Sequence, residues 1–401
     1  MGYETLNEQT AAEYVQSKTS LFPKGADLDC REIGDGNLNM VFRVWQKDAA
    51  KQSVIIKQSL PHARIDESIV APLERARIES EMLVLHDTHC PGLAPKIFDY
   101  DREMYAIIME DLSDHVVLRK GLIAGTVYPK LGEHLGIFLA RSLFFTSDLG
   151  MDPLKKKELQ KSFVNPDLCK ITEDLVFSNP YFNAENNKID PEIRERAERN
   201  WRDALLKREV AKLKEKFMTQ GQALVHGDLH TGSVFVTQDS TKAFDPEFAF
   251  YGPMGFDVGA IIGNLVLNHA AQVWHKQDLS DRKKFQGYLL ETIREIWRVF
   301  DKEFRNLWNE HVHTPLESAP EYRDDYMKRL LSDSIGYAGC KMTRRIVGLA
   351  QVEDIRSIKD VNVRRDAQIA VLDTAREFIL HREQLTSIDD VLEVIQKFAM
   401  P

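Results

Sequence analysis

The feature that most constrains this 401-residue chain is a stretch in which acidic residues bracket a short β-branched run. An apolar lead-in, Leu224-Val225, runs into His226-Gly227-Asp228-Leu229-His230-Thr231-Gly232-Ser233, a loop that sets Asp228 between two histidines. Val234 to Thr237 reads as a strand, Gln238-Asp239-Ser240 as a turn, and Thr241 to Phe244 as the returning strand. The second strand ends on Asp245-Pro246-Glu247. Asp228 and Asp245 lie 17 positions apart (245 − 228), and the turn is expected to bring them close in space. One carboxylate can then take a proton from a hydroxyl while others hold a divalent metal. That division of labour suits phosphoryl transfer, whose catalysis is mostly positioning and neutralisation of phosphate charge. Each piece alone has a plainer reading: an Asp between histidines can simply brace a loop, and Asp-Pro-Glu can simply start a turn. The joint pattern is far more specific.

The remaining chain limits what can surround this hairpin. Its length suffices for two domains or two lobes about a cleft. A net charge of −9 argues against a nucleic-acid partner, because phosphate backbones demand basic surface. Cys30, Cys90, Cys169 and Cys340 are scattered, with no pair at metal-ligand spacing, which suggests reduced thiols in a cytoplasmic protein. Met1 to Leu6 has neither a basic flank nor an apolar core, so no secretion signal is expected there. The most apolar segments, Gly136 to Phe145 and Val258 to Val273, are too short or too polar to span a bilayer, and no membrane partner is expected.

Secondary-structure signals divide the chain at about residue 111. After a short helix, Glu8 to Lys18, β-branched and aromatic runs fall at Cys30 to Ile33, Met40 to Gln46, Ser53 to Gln58 and Tyr105 to Glu110, with a helical stretch, Leu73 to Asp87, between the third and fourth. From residue 112 the periodicity is mostly helical: Tyr128 to Thr146, a long charged helix from Pro191 to Phe217, then Phe256 to Val273, Arg282 to Glu310, Asp324 to Gly348, Val363 to Glu383 and Ile388 to Phe398. The expected class is α+β: a small antiparallel sheet with one helix (residues 1–111), then a larger helical region (residues 112–401). The charge run at 155–161 reads as a solvated helix face. Asp257, opening an apolar helix, reads as its N-cap.

His-Gly-Asp-Leu-His-Thr-Gly-Ser with Asp-Pro-Glu-Phe-Ala-Phe-Tyr-Gly-Pro resembles the catalytic and metal loops of the protein-kinase-like small-molecule kinases, which include choline kinases and aminoglycoside phosphotransferases. Its wording is most similar to the 5-methylthioribose kinase family. The resemblance implies a two-lobed protein-kinase-like fold, ATP and Mg²⁺, a small sugar as acceptor, and a homodimer. It places Asp228 as the catalytic carboxylate and Asp245 and Glu247 as the metal ligands, and it likens Asp257 to the structural Asp that braces the catalytic loop. The wider superfamily has an Asn five residues after the catalytic Asp; here that position is Ser233, which leaves a second metal ligand from the loop in doubt.

The nucleotide end has its own signals. Gly34-Asp35-Gly36-Asn37-Leu38-Asn39 lies between two expected strands, where glycines let backbone approach phosphates; Asn39 stands where the protein-kinase pattern has a third glycine. Lys57 falls inside the apolar run Val54-Ile55-Ile56, where a charge is costly without an anionic partner, and a phosphate contact is the favoured reading over an edge lysine. Helical periodicity leaves Glu79 and Glu81 both open as its carboxylate partner; the Arg77-Ile78-Glu79 wording of the resembling family tips the choice to Glu79. By the same resemblance Glu110 and Leu112 present main-chain groups to adenine. At the acceptor end, the small-residue helix Ile335 to Gly348 carries Arg344 and Arg345. Surface charge is the plain reading of such a pair. The resemblance instead sends them toward the sugar and the transferring phosphate, with Asp228 beside them.

Overall fold

Alternation along two long strands organises the first part of the chain. In β2 (Asn39–Gln46) and β3 (Ala49–Ser59), Phe42, Val44, Val54 and Ile56 point to one side of the sheet, and Ile55 and Lys57 to the other. The computed structural model describes residues 2–33, 38–64 and 66–400. Its five-stranded antiparallel sheet has the order β1-β2-β3-β7-β6, with β1 spanning Leu28–Glu32, β6 Ile97–Asp101 and β7 Ala106–Glu110. Sequence periodicity indicated four of these strands. Ile97-Phe98-Asp99-Tyr100-Asp101, the fifth, is an edge strand whose short acidic pattern resembles a loop. A two-stranded ribbon, β4 (His62–Ala63) with β5 (Asp66–Val70), follows β3.

Helix α1 (Glu8–Lys18) covers the Phe42 side. Ala11 and Val15 join Phe42, Val44, Val54, Ile56, Ala106 and Ile108 in one apolar cluster. Each such side chain contributes about 1.5–3 kcal/mol when fully buried. A capping box fixes the helix start: Asn7 accepts the Gln9 and Thr10 N–H groups, each at 3.0 Å, and Thr10 Oγ1 accepts the Asn7 N–H at 2.9 Å. Helix α2 (Arg75–His89) lies against β3, β6 and β7, and its buried residues include Arg75, Glu79, Met82, Leu83 and His86. Spacings of three and four put these on one helix face.

The chain forms two compact units, Met1–His115 with Lys242–Ala249, and Val116–Thr241 with Phe250–Pro401. The second is mostly helical. Its elements are β8 (Val116–Val117), α3 (Leu118–Ile123), α4 (Leu131–Phe145), α5 (Pro153–Ser162), α6 (Pro166–Thr172), α7 (Arg194–Arg202), α8 (Ala204–Thr219), β9 (Ala223–Val225), β10 (Val234–Val236), β12 (Phe250–Gly252), α9 (Gly255–His275), α10 (Leu279–His311), α11 (Pro320–Val347), α12 (Glu353–Arg356), α13 (Val361–His381) and α14 (Ile388–Phe398), while β11 (Thr241–Ala243) starts in this unit at Thr241 and continues in the first. β9 pairs with β12, and β10 with β8. After β10, the Thr237 N–H bonds the Ser240 carbonyl at 2.9 Å, closing the expected turn before β11 returns the chain to the first unit.

Helices α9 and α11 set the geometry of the second unit. Gly255, Gly259 and Gly263 line the α9 face against α11 at four-residue intervals. A Cβ at Gly259 would fall 2.3 Å from the Ser334 carbonyl oxygen, and one at Gly263 3.0 Å from that of Ala338. Only hydrogen in place of a side chain allows this approach.

Three readings need correction. The charged helix expected from Pro191 to Phe217 breaks at Asp203, which has extended backbone (φ −82°, ψ 103°), caps α8 at the Leu206 N–H (2.9 Å), and pairs with Arg376. In the run at 155–161, Lys156 is buried and bonds the Gly221 carbonyl at 2.8 Å, so α5 is solvated on one side only. Asp257 is not the N-cap of α9; it lies inside the first turn and serves another segment, described below. The four cysteines are free thiols. Among the described residues no helix is long and apolar enough to cross a membrane.

Candidate functional site

In the first unit, β-alternation delivers Lys57 to the face that α2 covers. Its ammonium lies 2.7 Å from Glu79 and also contacts Asp245. Glu81, the other glutamate that periodicity left open, points outward and bonds Arg77 at 2.9 Å. One helical turn before Glu79, Arg75 is entirely buried. Its guanidinium meets Glu247 at 3.2 Å, the Asn39 Oδ1 at 3.1 Å, and the carbonyls of Leu38, Leu60 and Pro72. Asn39 also accepts the Ser59 hydroxyl at 3.1 Å. Gly34, Gly36 and Asn37 lie outside the described residues.

Glu79, Asp245 and Glu247 each offer a carboxylate oxygen within 4.8 Å of the others. Asp245 adopts φ +66°, the left-handed region, which aspartate tolerates better than most residues at roughly 1–2 kcal/mol. Burial opposes a charge on Lys57, but Asp245, Glu79 and Glu247 outweigh it and hold the ammonium above the usual lysine range. Burial pushes the Glu79 carboxyl up, against the pull of Lys57 and with help from Asp245 and Glu247. Burial and Asp245 push Glu247 up in the same way. Three carboxylates facing two cations leave an anionic surplus of hard oxygens, the donor set that Mg²⁺ prefers. Beyond the cluster, Glu110 ends β7 with its N–H on the Lys96 carbonyl (2.8 Å) and its carboxylate on Lys242 (2.9 Å). Leu112 is buried, and its carbonyl accepts the His115 N–H at 2.9 Å.

The second unit holds Asp228 in the loop between β9 and β10. Gly227 there takes φ +82°, a conformation side chains rarely permit. Asp257 braces this turn from α9: its carboxylate accepts the His226 N–H at 2.6 Å and the Gly227 N–H at 3.1 Å. The Ser233 hydroxyl accepts the His230 N–H at 2.8 Å and lies 3.0 Å from the Asp228 and His230 carbonyls. It is thus engaged with the loop's own backbone.

Asp228 Oδ1 meets the Lys341 ammonium at 2.9 Å and the Arg344 guanidinium at 3.8 Å; Oδ2 lies 3.3 Å from His230 Nε2. His230 Nδ1 accepts the Gly232 N–H at 2.9 Å, so the ring's remaining proton sits on Nε2 and is donated to Asp228. Burial pushes His230 down to about 4, against Asp228, and the ring is neutral near pH 7. Burial alone would raise the Asp228 carboxyl, but Lys341, His230 and Arg344 hold it well below the usual carboxylate range; with the imidazole neutral, the charge contribution is that of Lys341 and Arg344. Burial lowers Lys341 to about 8, with Asp228 opposing.

Arg344 and Arg345 diverge, as consecutive helical positions must at about 100° apart. Arg345 is buried, bonds the Ala350 carbonyl at 3.1 Å, and is pushed down to about 9 by burial and by Arg344. Behind it Arg119 reaches Asp354 at 3.3 Å and His230 Nδ1 at 3.5 Å. Asn268 bonds Asp354 at 2.7 Å.

Sequence reasoning missed Lys341, Arg75 and the Arg119–Asp354 pair. A signal existed for two of them. Lys341 precedes Arg344 by three positions and Arg345 by four, and Arg75 precedes Glu79 by four, the spacings that place residues on one helix face.

Residues 29–296 match the model of the phosphotransferase enzyme family. The chain is 45% identical over 390 residues to the methylthioribose kinase of Geobacillus sp. (strain WCH70), covering 97% of this chain and 95% of that protein. It is 44% identical over 389 residues to the methylthioribose kinase of Geobacillus kaustophilus (strain HTA426), and 40% identical over 389 residues to that of Bacillus cereus (strain AH820). In both cases 97% of this chain and 96% of the relative are covered.

Proposed function

The chain belongs to the methylthioribose kinases of the phosphotransferase enzyme family, and from that premise we propose that it transfers the γ-phosphoryl group of ATP to the 1-hydroxyl of S-methyl-5-thioribose. The products are ADP and S-methyl-5-thioribose 1-phosphate, in a step of methionine salvage. The observation that carries the chemistry is Asp228: an anionic carboxylate set between a lysine ammonium and a neutral imidazole donor, on a loop braced by Asp257.

The residues divide the work as follows. Asp228 orients the acceptor hydroxyl. As the acceptor oxygen bonds the γ-phosphorus, the bond from phosphorus to the β,γ-bridging oxygen breaks and ADP leaves with the electron pair. The hydroxyl proton passes to Asp228. A weakly basic carboxylate suffices, because the proton moves late when the transition state is loose. Lys57, steadied by Glu79, meets the α- and β-phosphates; Gly34, Gly36 and Asn37 serve the same nucleotide, with Asn39, which opens β2 and holds Arg75, beside them; Glu110 and Leu112 offer main-chain groups to adenine. Asp245 and Glu247 are the residues that would hold Mg²⁺, which when bound neutralises phosphate charge. Arg344, beside Asp228, serves the phosphoryl or sugar oxygens, and Arg345 supports it from the buried side. A homodimer is our reading on family resemblance, and sedimentation of the purified chain measures it.

Choline, an aminoglycoside or homoserine would be an alternative acceptor. All three carry cationic amines, and Lys341, Arg344 and Arg345 around Asp228 oppose such groups electrostatically. The test is ADP release by purified protein with each acceptor, with ³¹P detection of the phosphorylated product. Methylthioribose-dependent turnover is expected. Turnover with choline or homoserine and none with methylthioribose overturns the reading.

A further inference from the structure

We propose that Lys341 is a positioning residue for phosphoryl transfer: it grips Oδ1 of Asp228 and so leaves Oδ2 to receive the acceptor hydroxyl. The proposal rests on Asp228 being the catalytic carboxylate, as argued above.

A lysine in this place is expensive to keep. Its side chain is only 3% exposed, on the stretch of α11 that packs closely against α9, among Tyr337, Ala338, Gly339 and Met342. An ammonium taken from water needs an anion at hydrogen-bond distance. Two carboxylates face it, Asp228 from the loop and Asp257 from α9. Both Asp257 oxygens are engaged by the His226 and Gly227 N–H groups. Asp228 supplies the direct contact at 2.9 Å, and the Phe256 ring lies beneath the ammonium at 4.5 Å. The other charged neighbours, Arg344 and Arg345 on α11, repel Lys341 and add to the reason it stays on Asp228.

The contacts divide the carboxylate unequally. Oδ1 carries the lysine at 2.9 Å with Arg344 at 3.8 Å, whereas among the described residues Oδ2 meets only the neutral His230 donor, at 3.3 Å. The oxygen held by cations is the weaker base, and Oδ2 is therefore the better proton acceptor. A merely neutralising cation could sit on either oxygen or at longer range. Holding one oxygen at bonding distance fixes the plane of the carboxylate as well as its charge.

The test uses the full-length protein and two substitutions. Lys341→Met removes charge and donor; Lys341→Gln keeps a donor without the charge. Circular dichroism and a melting curve establish folding for each, and either folded variant suffices. The expected results are a kcat lower by about 10–100-fold with the KM for ATP little changed, and an acid limb of kcat/KM displaced to higher pH. The sign follows from charge: Asp228 loses its nearest cation, its carboxyl rises toward the ordinary range, and activity falls at a higher pH as protonation removes the base. In an Asp228→Asn background, either Lys341 substitution should cost little more. A folded Lys341 variant with wild-type kcat and an unmoved acid limb overturns the proposal. So does a Lys341 variant whose loss is as large in the Asp228→Asn background as in wild type. Should Asp228→Asn itself turn over like wild type, the assignment of Asp228 falls, a failure separate from that of Lys341.

Discussion

The two units carry opposite solutions to burying charge. In the first, Glu79, Asp245 and Glu247 face Lys57 and Arg75, so anions exceed cations. In the second, Asp228 bonds Lys341 and lies near Arg344, with Arg345 behind and a neutral histidine at its other oxygen. Burial raises two of the first unit's carboxyls, Glu79 and Glu247, while its neighbours hold Asp228 down. The difference teaches that one chemical group can be prepared for two jobs: in our reading the anionic surplus suits a hard cation, and the carboxylate ringed by cations stays ionised and oriented, as a base must be.

The largest effect that could break this contrast is removal of a surplus oxygen. Asp245→Ala or Glu247→Ala is expected to reduce turnover to below about 0.1% of wild type while the fold persists, as read by steady-state rate at saturating Mg²⁺ beside a melting curve. Normal activity in Glu247→Ala would mean that the surplus is not a metal site. Next comes Asp228→Asn, which keeps the shape and removes the basic oxygen. Its kcat should fall about 10²–10⁴-fold with nucleotide affinity retained, the latter measured by calorimetric titration of ATP. Retained affinity with lost rate would also exclude a nucleotide-binding scaffold without chemistry.

Smaller changes sharpen the contrast. Arg344→Ala should mainly lower kcat, by about 10–150-fold, the worth of a charge-assisted hydrogen bond, and Lys should not restore it. Arg345→Ala should lower kcat in the same direction but by less, with the KM for ATP unmoved, by loosening the support behind Arg344. If both variants behave as wild type, the pair has no part in the acceptor end. Arg75→Lys keeps the charge but loses the fork that ties Glu247 to Asn39 and the backbone. The Mg²⁺ concentration for half-maximal rate should rise about 10–100-fold, as expected when the group holding a metal ligand is altered. An unchanged Mg²⁺ requirement would make Arg75 a scaffold residue only.

Local patterns made much of this legible before any coordinates. The apolar run around Lys57 marked a strand with a charge that needs an anionic partner, and turn chemistry at Gln238-Asp239-Ser240 located the reversal that the Thr237–Ser240 bond closes. Contacts between distant segments were not legible. Glu79 and Glu81 each share a helix face with apolar residues; periodicity leaves both open, family resemblance tips the choice to Glu79, and the sheet beneath α2 supplies the physical reason. Lys341 and Asp228 are 113 positions apart, so nothing local announces their pairing. Asp203 looked like one more charged residue in a continuous helix, because its cap and its bond to Arg376 depend on a chain direction that periodicity cannot register.

The glycine ladder of α9 has a consequence for how function can be lost. Asp257, which braces the Asp228 loop, and Lys341, which holds Asp228, sit on the two helices that the ladder spaces. Gly259 has no functional group, yet a single added methyl there would meet the Ser334 carbonyl at 2.3 Å and force α9 and α11 apart. The displacement would be felt by two side chains that grip one loop from different helices. Gly259 thus works as a spacer of fixed thickness. A screen for lost turnover would flag it beside the charged residues, although it has no chemistry of its own.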